Sequence, residues 1–159
     1  MWWNLPVLAI HIYMIASLLQ ARRGIDLDDE AEAIRTLIFP SLDRSSFNTM
    51  WHCGETRTVA GDTVLIVKDQ PVRELILIID GEVDVDVRDD LTVRLSQYRL
   101  VGEMTSLSGG NATATVTTNG PVNMRAWNKR ALDECGAKHP EIELALLKAM
   151  GNEVARKLG

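Results

Sequence analysis

Residues 101–116 carry the backbone and side chains best suited to binding a small anion. The segment reads VGEMTSLSGGNATATV and interrupts a series of strand-like runs. A short apolar and hydroxyl-bearing stretch after Gly102 predicts one helical turn, and Gly109 and Gly110 predict a loop into the next strand. The free N–H groups that open such a turn favour an anion, and Glu103 beside them can accept a hydrogen bond from a sugar hydroxyl.

The cysteines and histidines do not suggest a second site. Cys53 and Cys135 lie far apart and lack the spacing of metal ligands, so we expect ordinary free thiols. His52 precedes Cys53, but sequence neighbours point to different faces of a strand and rarely meet in a helix. A nucleophile–base pair is therefore not expected. His11, His52 and His139 are not at metal-ligand spacing either, and we expect no metal and no enzyme activity.

Length and charge limit the possible functions. The chain has 159 residues, of which 46% are hydrophobic, and a formal charge of −5. This length suits one domain with an appendage, and the apolar fraction allows one proper core. Binding to the phosphates of nucleic acid needs clustered lysine and arginine, which an acidic chain does not favour. No nucleic-acid partner is therefore predicted.

The N-terminus has the features of a membrane helix. No charged residue occurs from Trp2 to Leu19, and Arg22 and Arg23 follow. An uncharged run of about 18 residues is just long enough to span a bilayer. The tryptophans at its start suit the membrane interface, and the arginines suit its cytoplasmic side. We expect an anchor over residues 1–21, with the N-terminus outside and the rest of the chain in the cytoplasm.

Other structures fit the same segment. They are a signal peptide, a helix packed on a partner subunit, and an interfacial helix lying flat on the membrane. A signal peptide carries its positive charges before the apolar run, whereas here the arginines follow it. Asn4, Pro6, His11 and Ser17 reduce the apolar character of the run. Further membrane spans upstream, in a longer protein, are also compatible with the sequence.

Two helices are predicted before the β-rich part of the chain. Apolar residues at helical spacing predict a helix over Asp26–Phe39, with Asp26 as its N-cap and Pro40 as its end. This helix falls within a linker assigned to residues 22–41. A second, shorter helix is expected to begin near Asp43.

From Thr56 onward the hydrophobic pattern changes to that of strands. The predicted runs are Thr56–Ala60, Val64–Lys68, Glu74–Ile79, Glu82–Val87, Thr92–Gln97, Thr113–Thr118 and Val122–Trp127. Asp80-Gly81 separates two of these runs and predicts a tight hairpin. Asn119-Gly120-Pro121 predicts a further turn.

The chain returns to helix after the last strand. Asn128 is the expected N-cap of a helix over Lys129–Cys135, and a long amphipathic helix is predicted over Glu141–Leu158. Many short strands without intervening helices predict a sandwich, jelly roll or barrel. The predicted fold is mainly β, a jelly-roll-like β-roll over residues 42–159 that is flanked by N- and C-terminal helices.

The order of these elements resembles the cyclic nucleotide-binding domain. The resemblance covers Leu42 to Leu158, and its motif positions are Gly61 and Gly81 in turns, Gly102 and Glu103 at the start of the cassette, and Ala114-Thr115-Val116 in the next strand. The Gly-Glu-Met cassette resembles that of a bacterial subgroup. The resemblance implies cAMP or cGMP as the ligand and no further cofactor.

The resemblance also implies roles for the cassette residues. Glu103 would hold the ribose 2′-hydroxyl, and the amides near Met104 and Thr105 would hold the cyclic phosphate. The loop at Ala112 and Thr113 completes the implied site, which begins at Gly102.

The cassette departs from the family pattern at one position. Ala112 stands where the nucleotide binders have an arginine against the phosphate. A charge-assisted contact of that kind contributes about 1.5–3 kcal/mol, so its absence implies affinity about tenfold to hundredfold lower. Arg99 and Arg125 are the nearest basic residues in sequence and the candidates to replace it.

The front of the chain resembles the Popeye domain. The similar stretches are residues 21–32, residues 37–42, Phe47 and the segment Thr56–Asp86. Popeye proteins have three membrane spans and a cytoplasmic domain related to the cyclic nucleotide-binding domain, whereas this chain has room for one span. Their own ligand cassette is not found here, because Gly-Glu-Met takes its place.

These observations predict a membrane-associated regulatory module that binds a ligand. In this interpretation the ligand orders residues 102–113, and the helix from Glu141 repacks over them. The alternative is a β-roll that binds no ligand and serves oligomerisation or protein–protein interaction. Either function suits a homo-oligomer or a complex with a membrane protein.

Overall fold

The computed structural model describes residues 10–12 and 27–159. The predicted anchor over residues 1–21 lies outside the described residues, apart from a helical stretch at residues 10–12. Within these two ranges, no helix is both long enough and apolar enough to cross a membrane.

The described chain forms a β-sheet with helices before and after it. In order, it contains helices α1 (Asp29–Ile38) and α2 (Arg44–His52), strands β1 (Glu55–Val59), β2 (Val64–Ile66), β3 (Glu74–Arg88), β4 (Leu91–Leu95) and β5 (Leu100–Val101), helix α3 (Glu103–Ser108), strand β6 (Thr115–Asn128), and helices α4 (Lys129–Lys138) and α5 (Pro140–Leu158). The sheet has six strands, and the main path runs β1-β6-β3-β4. The expected mainly β fold with flanking helices is confirmed.

Strands β3 and β6 are the long strands around which the sheet is built. They pair with each other in antiparallel register along almost their whole length. The predicted hairpin at Asp80-Gly81 is therefore wrong, and so is the turn at Asn119-Gly120-Pro121. A hairpin requires its flanking strands to pair with each other, whereas the residues on both sides of Gly81 pair with β6.

The glycines that suggested turns bend these strands instead. Gly81 has a φ of +96° and Gly120 a φ of +79°, a region that glycine adopts without steric cost. The register between the two strands shifts on both sides of Asp80. A Cβ on Gly81 would lie 2.5 Å from the carbonyl oxygen of Pro121, so the neighbouring strand leaves no space for a side chain.

Side-chain caps set the helix termini. The Asp28 carboxylate accepts a hydrogen bond from the N–H of Ala31 at 2.7 Å and caps α1. The cap is thus Asp28 and not the predicted Asp26, which lies outside the described residues. The predicted cap at Asn128 is confirmed, since its side chain accepts from the N–H of Arg130 at 3.0 Å.

Strand β3 contributes to two hydrophobic cores. Leu75, Leu77 and Ile79 pack with the helices, whereas Ile76 and Ile78 pack inside the roll. All five side chains are buried. This part of the strand is covered on both faces, which explains its continuous apolar sequence.

Trp127 joins α2 to the sheet. It is fully buried, and its Nε1 donates to the carbonyl oxygen of Met50 at 2.9 Å. The Arg125 guanidinium lies 4.4 Å from the ring centroid of Trp51 and donates to the carbonyl oxygens of Trp51 and Gly54. The last carbonyls of a helix have no intrahelical partner, so these side chains of β6 satisfy the end of α2.

Replacing Gly54 by alanine is expected to destabilise the protein by about 1–3 kcal/mol through overpacking. A Cβ at Gly54 would lie 2.7 Å from the Trp127 ring and 2.8 Å from the Ala126 carbonyl oxygen. Urea denaturation of Gly54→Ala and the wild type measures the difference.

Gly151→Ala is the matched control, because its added Cβ would meet no atom within 4 Å apart from the adjoining residues and backbone of its own helix. Alanine in a helix interior stabilises relative to glycine by about 0.5–1 kcal/mol. A Gly54→Ala chain as stable as the wild type would contradict the close packing at Trp127.

Candidate functional site

The cassette, residues 102–113, consists of helix α3 and the loop after it. Gly102 precedes α3 with a φ of +91°, and a Cβ there would lie 2.7 Å from the carbonyl oxygen of Glu74. Glycine therefore lets the cassette lie directly against β3. The predicted helical turn is confirmed, and Gly109 and Gly110, both with positive φ, lead out of it.

All the predicted site residues line one cavity of about 190 Å³. They are Gly102, Glu103, Met104, Thr105, Ala112 and Thr113. Apolar side chains of β3, among them Val85 and Val87, line the cavity as well. Val154, Lys157 and Leu158 belong to the last turns of α5 and also border it. The cavity thus lies between the cassette, the roll and the C-terminal helix.

Glu103 is the buried charge of this cavity. Its side chain is 1% exposed, and its Oε1 lies 2.6 Å from the Nζ of Lys157. Lys157 Nζ also donates to the carbonyl oxygen of Leu100 at 3.1 Å. A buried carboxylate without a partner costs several kcal/mol. The ion pair therefore satisfies Glu103 and holds the last turn of α5 against the cassette.

A second ion pair of opposite polarity lies one helical turn away. Arg99 Nε donates to Glu153 Oε1 at 2.7 Å, and Glu153 is 3% exposed. Arg99 lies just before the cassette and Glu103 lies within it, four residues further on. On α5, Glu153 and Lys157 are also four residues apart. Each segment supplies one acid and one base, so the two pairs together fix the register of α5 on the cassette.

Neither arginine expected from the sequence reaches the cavity. Arg99 is paired with Glu153, and Arg125 is held by Thr56 and the end of α2. Burial lowers the pKa of Arg125. Among the described residues that line the cavity, Lys157 is the one cationic side chain.

The sequence analysis missed Lys157 because 54 residues separate it from Glu103. It stands near the end of an amphipathic helix, where a lysine is ordinarily explained by the helix dipole. No spacing rule connects it to the cassette. An unpaired acid in the segment at 101–116 was the one available signal that a distant base was required.

The cysteines, far apart in sequence, contact each other in the structure. Both are free. Burial, and then a hydrogen bond with the Cys53 thiol, raise the pKa of Cys135 to about 12. Cys135 is therefore a neutral thiol at physiological pH. His52 directs its Nδ1 to the carbonyl oxygen of Asn48 at 2.8 Å, and the Cys53 thiol donates to the carbonyl oxygen of Thr49 at 3.3 Å.

A second cavity, of about 320 Å³, lies between α4 and α5. Its apolar lining includes Leu132, Leu146, Leu147 and Met150. None of its polar lining side chains is buried. It therefore lacks the buried charge that distinguishes the cassette cavity.

The described chain is a β-roll with a buried acid in a cavity that a C-terminal helix borders, an arrangement suited to binding a ligand. The family model of the cyclic nucleotide-binding domain matches residues 56–139, more than half of the chain. The chain therefore belongs to the cyclic nucleotide-binding domain family. None of the curated proteins compared with the sequence matches it.

Solved structures with the same fold come from distant organisms. A putative cyclic nucleotide-binding protein of Geobacter metallireducens is 18% identical, with a TM-score of 0.70 over 80% of this chain and 97% of that one. A cyclic nucleotide-binding domain of Methylobacillus flagellatus is 16% identical, with a TM-score of 0.68 over 80% and 79%. The regulatory domain of Toxoplasma gondii PKA, crystallised with cAMP, is 20% identical, with a TM-score of 0.60 over 70% and 46%.

Arg99→Met is expected to destabilise the protein by about 3 kcal/mol, because it leaves the buried Glu153 with only the half-exposed Arg156, at 3.6 Å, as a charged partner. The measurement is the free energy of unfolding in urea. Arg130→Met is the control, since Arg130 is 88% exposed in its pair with Glu134 and surface pairs contribute little. Equal stability of the two variants would mean that the Arg99–Glu153 pair does not hold α5.

Proposed function

We propose that this chain is a regulatory module that binds a cyclic nucleotide, cAMP or cGMP, in the cassette cavity and catalyses no reaction. The observation that carries the proposal is the buried Glu103 carboxylate, which shares one cavity with the cassette loop. Membership of the family supports the ligand class. The Toxoplasma gondii regulatory domain, crystallised with cAMP, supports it further.

Each side of the cavity suits one part of such a ligand. Glu103 accepts a hydrogen bond from the ribose 2′-hydroxyl in this proposal. The first N–H groups of α3, at Met104 and Thr105, have no carbonyl partner within the helix and donate to the cyclic phosphate. The apolar side chains of Val85, Val87 and other lining residues contact the base.

The proposed response involves α5. Lys157 contacts the carboxylate oxygen that the ribose requires, so binding and the present position of α5 compete for Glu103. A ligand that contacts Glu103 therefore shifts the population toward a state in which Lys157 has left Glu103 and the last turn of α5 has changed position. This gives the bound state a different surface for a partner.

A second candidate function is a β-roll that binds no ligand and serves oligomerisation or protein–protein interaction. The same ion pair favours it, because Lys157 already satisfies Glu103. The cavity of about 190 Å³ is also smaller than the ~300–1,000 Å³ of typical ligand sites. The two functions differ in whether a nucleotide can enter the cavity and change the position of the end of α5.

Isothermal titration of the full chain with cAMP and with cGMP distinguishes these functions. We expect binding with a micromolar dissociation constant, weakened by Glu103→Gln at least tenfold, because the amide lacks the charge that strengthens the hydrogen bond. Glu134→Gln, on the exposed face of α4, is the control and is expected to bind like the wild type.

The comparison is made only with variants that unfold at the temperature of the wild type within a few degrees. Heats absent at millimolar concentrations of both nucleotides would contradict the proposed function and favour the interaction module. Binding that is unchanged in Glu103→Gln would contradict the role given to that residue.

We further propose that residues 1–21 attach the module to a membrane, with the domain over residues 42–159 on the cytoplasmic side. The support is the uncharged run from Trp2 to Leu19 and the two arginines that follow it. The resemblance of the front part of the chain to the Popeye domain agrees with this location and stays a prediction. The domain boundaries, and a homo-oligomeric or membrane-protein partner, stay predictions as well.

Membrane attachment is tested by fractionating cells that express the full chain. We expect the chain to remain with membranes after an alkaline carbonate wash. Ile10→Arg is expected to release it, because an arginine at the centre of a span costs about 2.5–3.5 kcal/mol. Ile10→Leu is the control. Release of the wild type by carbonate would indicate an interfacial helix, and recovery without membranes would contradict attachment.

A further inference from the structure

We propose that Lys157 is the residue that binds the phosphate of the ligand, in place of the arginine that the cassette lacks. The inference rests on the proposed function and adds to it a charge on the C-terminal helix. Lys157 is the single cation among the described residues that line the cavity, and its Nζ lies 2.6 Å from Glu103.

The charges of the cavity require such a cation. Glu103 is the one acidic side chain in the lining, and it is 1% exposed. A cyclic phosphate that enters beside it adds a second negative charge at a site shielded from water. Like charges repel strongly in such surroundings, so a ligand of this class binds only if a positive charge stays with it. Lys157 is the lining residue that provides it.

The other basic residues near the cassette have partners outside the cavity. Arg99 neutralises Glu153, and Arg125 satisfies backbone carbonyls at the end of α2. Ala112, at the position of the family arginine, is buried at 4% exposure, and its N–H is bonded to the carbonyl oxygen of Gln70. The cassette therefore has no cationic side chain of its own for the phosphate, although the hydroxyl-bearing Thr105 and Thr113 line the cavity.

Lysine is suited to a change of partner. Its ammonium group lies on a flexible stem of four carbons and has three donors. Two of them are used, by Glu103 and by the carbonyl oxygen of Leu100. The side chain is 22% exposed, so it lines the cavity and also faces solvent. Binding then transfers Lys157 from the Glu103 carboxylate to the phosphate and frees Glu103 for the ribose.

This assignment predicts a ligand class as well as a residue. The cavity selects a nucleotide with a negative phosphate over the uncharged nucleoside, and the selection depends on Lys157. A role for Lys157 in stability alone would not produce this selection. A role as a mere competitor for Glu103 would make its removal tighten binding.

The experiment uses the full chain with Lys157→Gln, Lys157→Arg and Lys148→Gln. Glutamine removes the charge and keeps hydrogen-bond donors for Glu103, whereas arginine keeps the charge. Lys148 is exposed on the same helix and is the control. Dissociation constants for cAMP, cGMP and adenosine are measured by titration calorimetry, and thermal unfolding verifies that each variant is folded.

We expect Lys157→Gln to weaken binding of the preferred cyclic nucleotide by about tenfold to hundredfold and to leave adenosine affinity within about threefold. Lys157→Arg is expected to stay within about fivefold of the wild type, and Lys148→Gln to match it. Wild-type binding that Lys157→Gln leaves unchanged or tightens would overturn the inference while the proposed function stands.

A second measurement separates failure of this inference from failure of the proposed function. Inorganic phosphate is titrated into the full chain, and the lysine side-chain NMR signals are followed, with Lys157 assigned by its loss in Lys157→Gln. A saturable shift of the Lys157 signal without nucleotide binding would overturn the proposed function and support the anion site. Absence of both responses would overturn both proposals.

Discussion

A carboxylate that is 1% exposed must have a partner of opposite charge, and Glu103 finds its partner on the far end of the chain. The cost of burying an unpaired charge exceeds the contribution of almost any single packing contact. The cassette and the last turn of α5 are therefore one unit in the present structure. Any event that changes the environment of Glu103 also changes the contacts of Lys157.

The fold holds the cassette in place from two directions. Leu100 belongs to the core under the helices, and its neighbour Val101 belongs to the core inside the roll. Gly102 then turns the chain into α3 against the backbone of Glu74. The segment before Glu103 is thus fixed by both cores, whereas the last turn of α5 contributes no residue to either core.

The two ion pairs, Arg99–Glu153 and Lys157–Glu103, hold the end of α5 in one position, although its last turns have no large apolar interface. Glu153 is buried with Arg99, whereas Leu158 is 81% exposed. Ion pairs of this kind are sensitive to a competing charge, whereas hydrophobic packing is not. A helix end held in this way suits a regulatory domain, because one of the two ion pairs, Lys157–Glu103, lies in the lining of the cavity. In the proposed mechanism, Lys157 binds the ligand and is also part of the helix that changes position.

The sequence by itself determined the features that depend on local patterns. Strand-like periodicity, the cap at Asn128, the helical turn after Gly102 and the fold class follow from patterns of neighbouring residues, whereas the full set of cassette residues came from the resemblance to a family. Local patterns also gave a wrong prediction where a glycine can form either a turn between strands or a bend within one strand. Asp80-Gly81 has the composition of a hairpin, but pairing with β6 makes it a bend within β3. Only the tertiary structure distinguished the hairpin from the bend. Only the tertiary structure, likewise, brings Lys157 into contact with Glu103, 54 residues away in sequence. The reason is physical: strand pairing and charge pairing depend on which distant segments meet, and no residue spacing along the chain encodes that meeting.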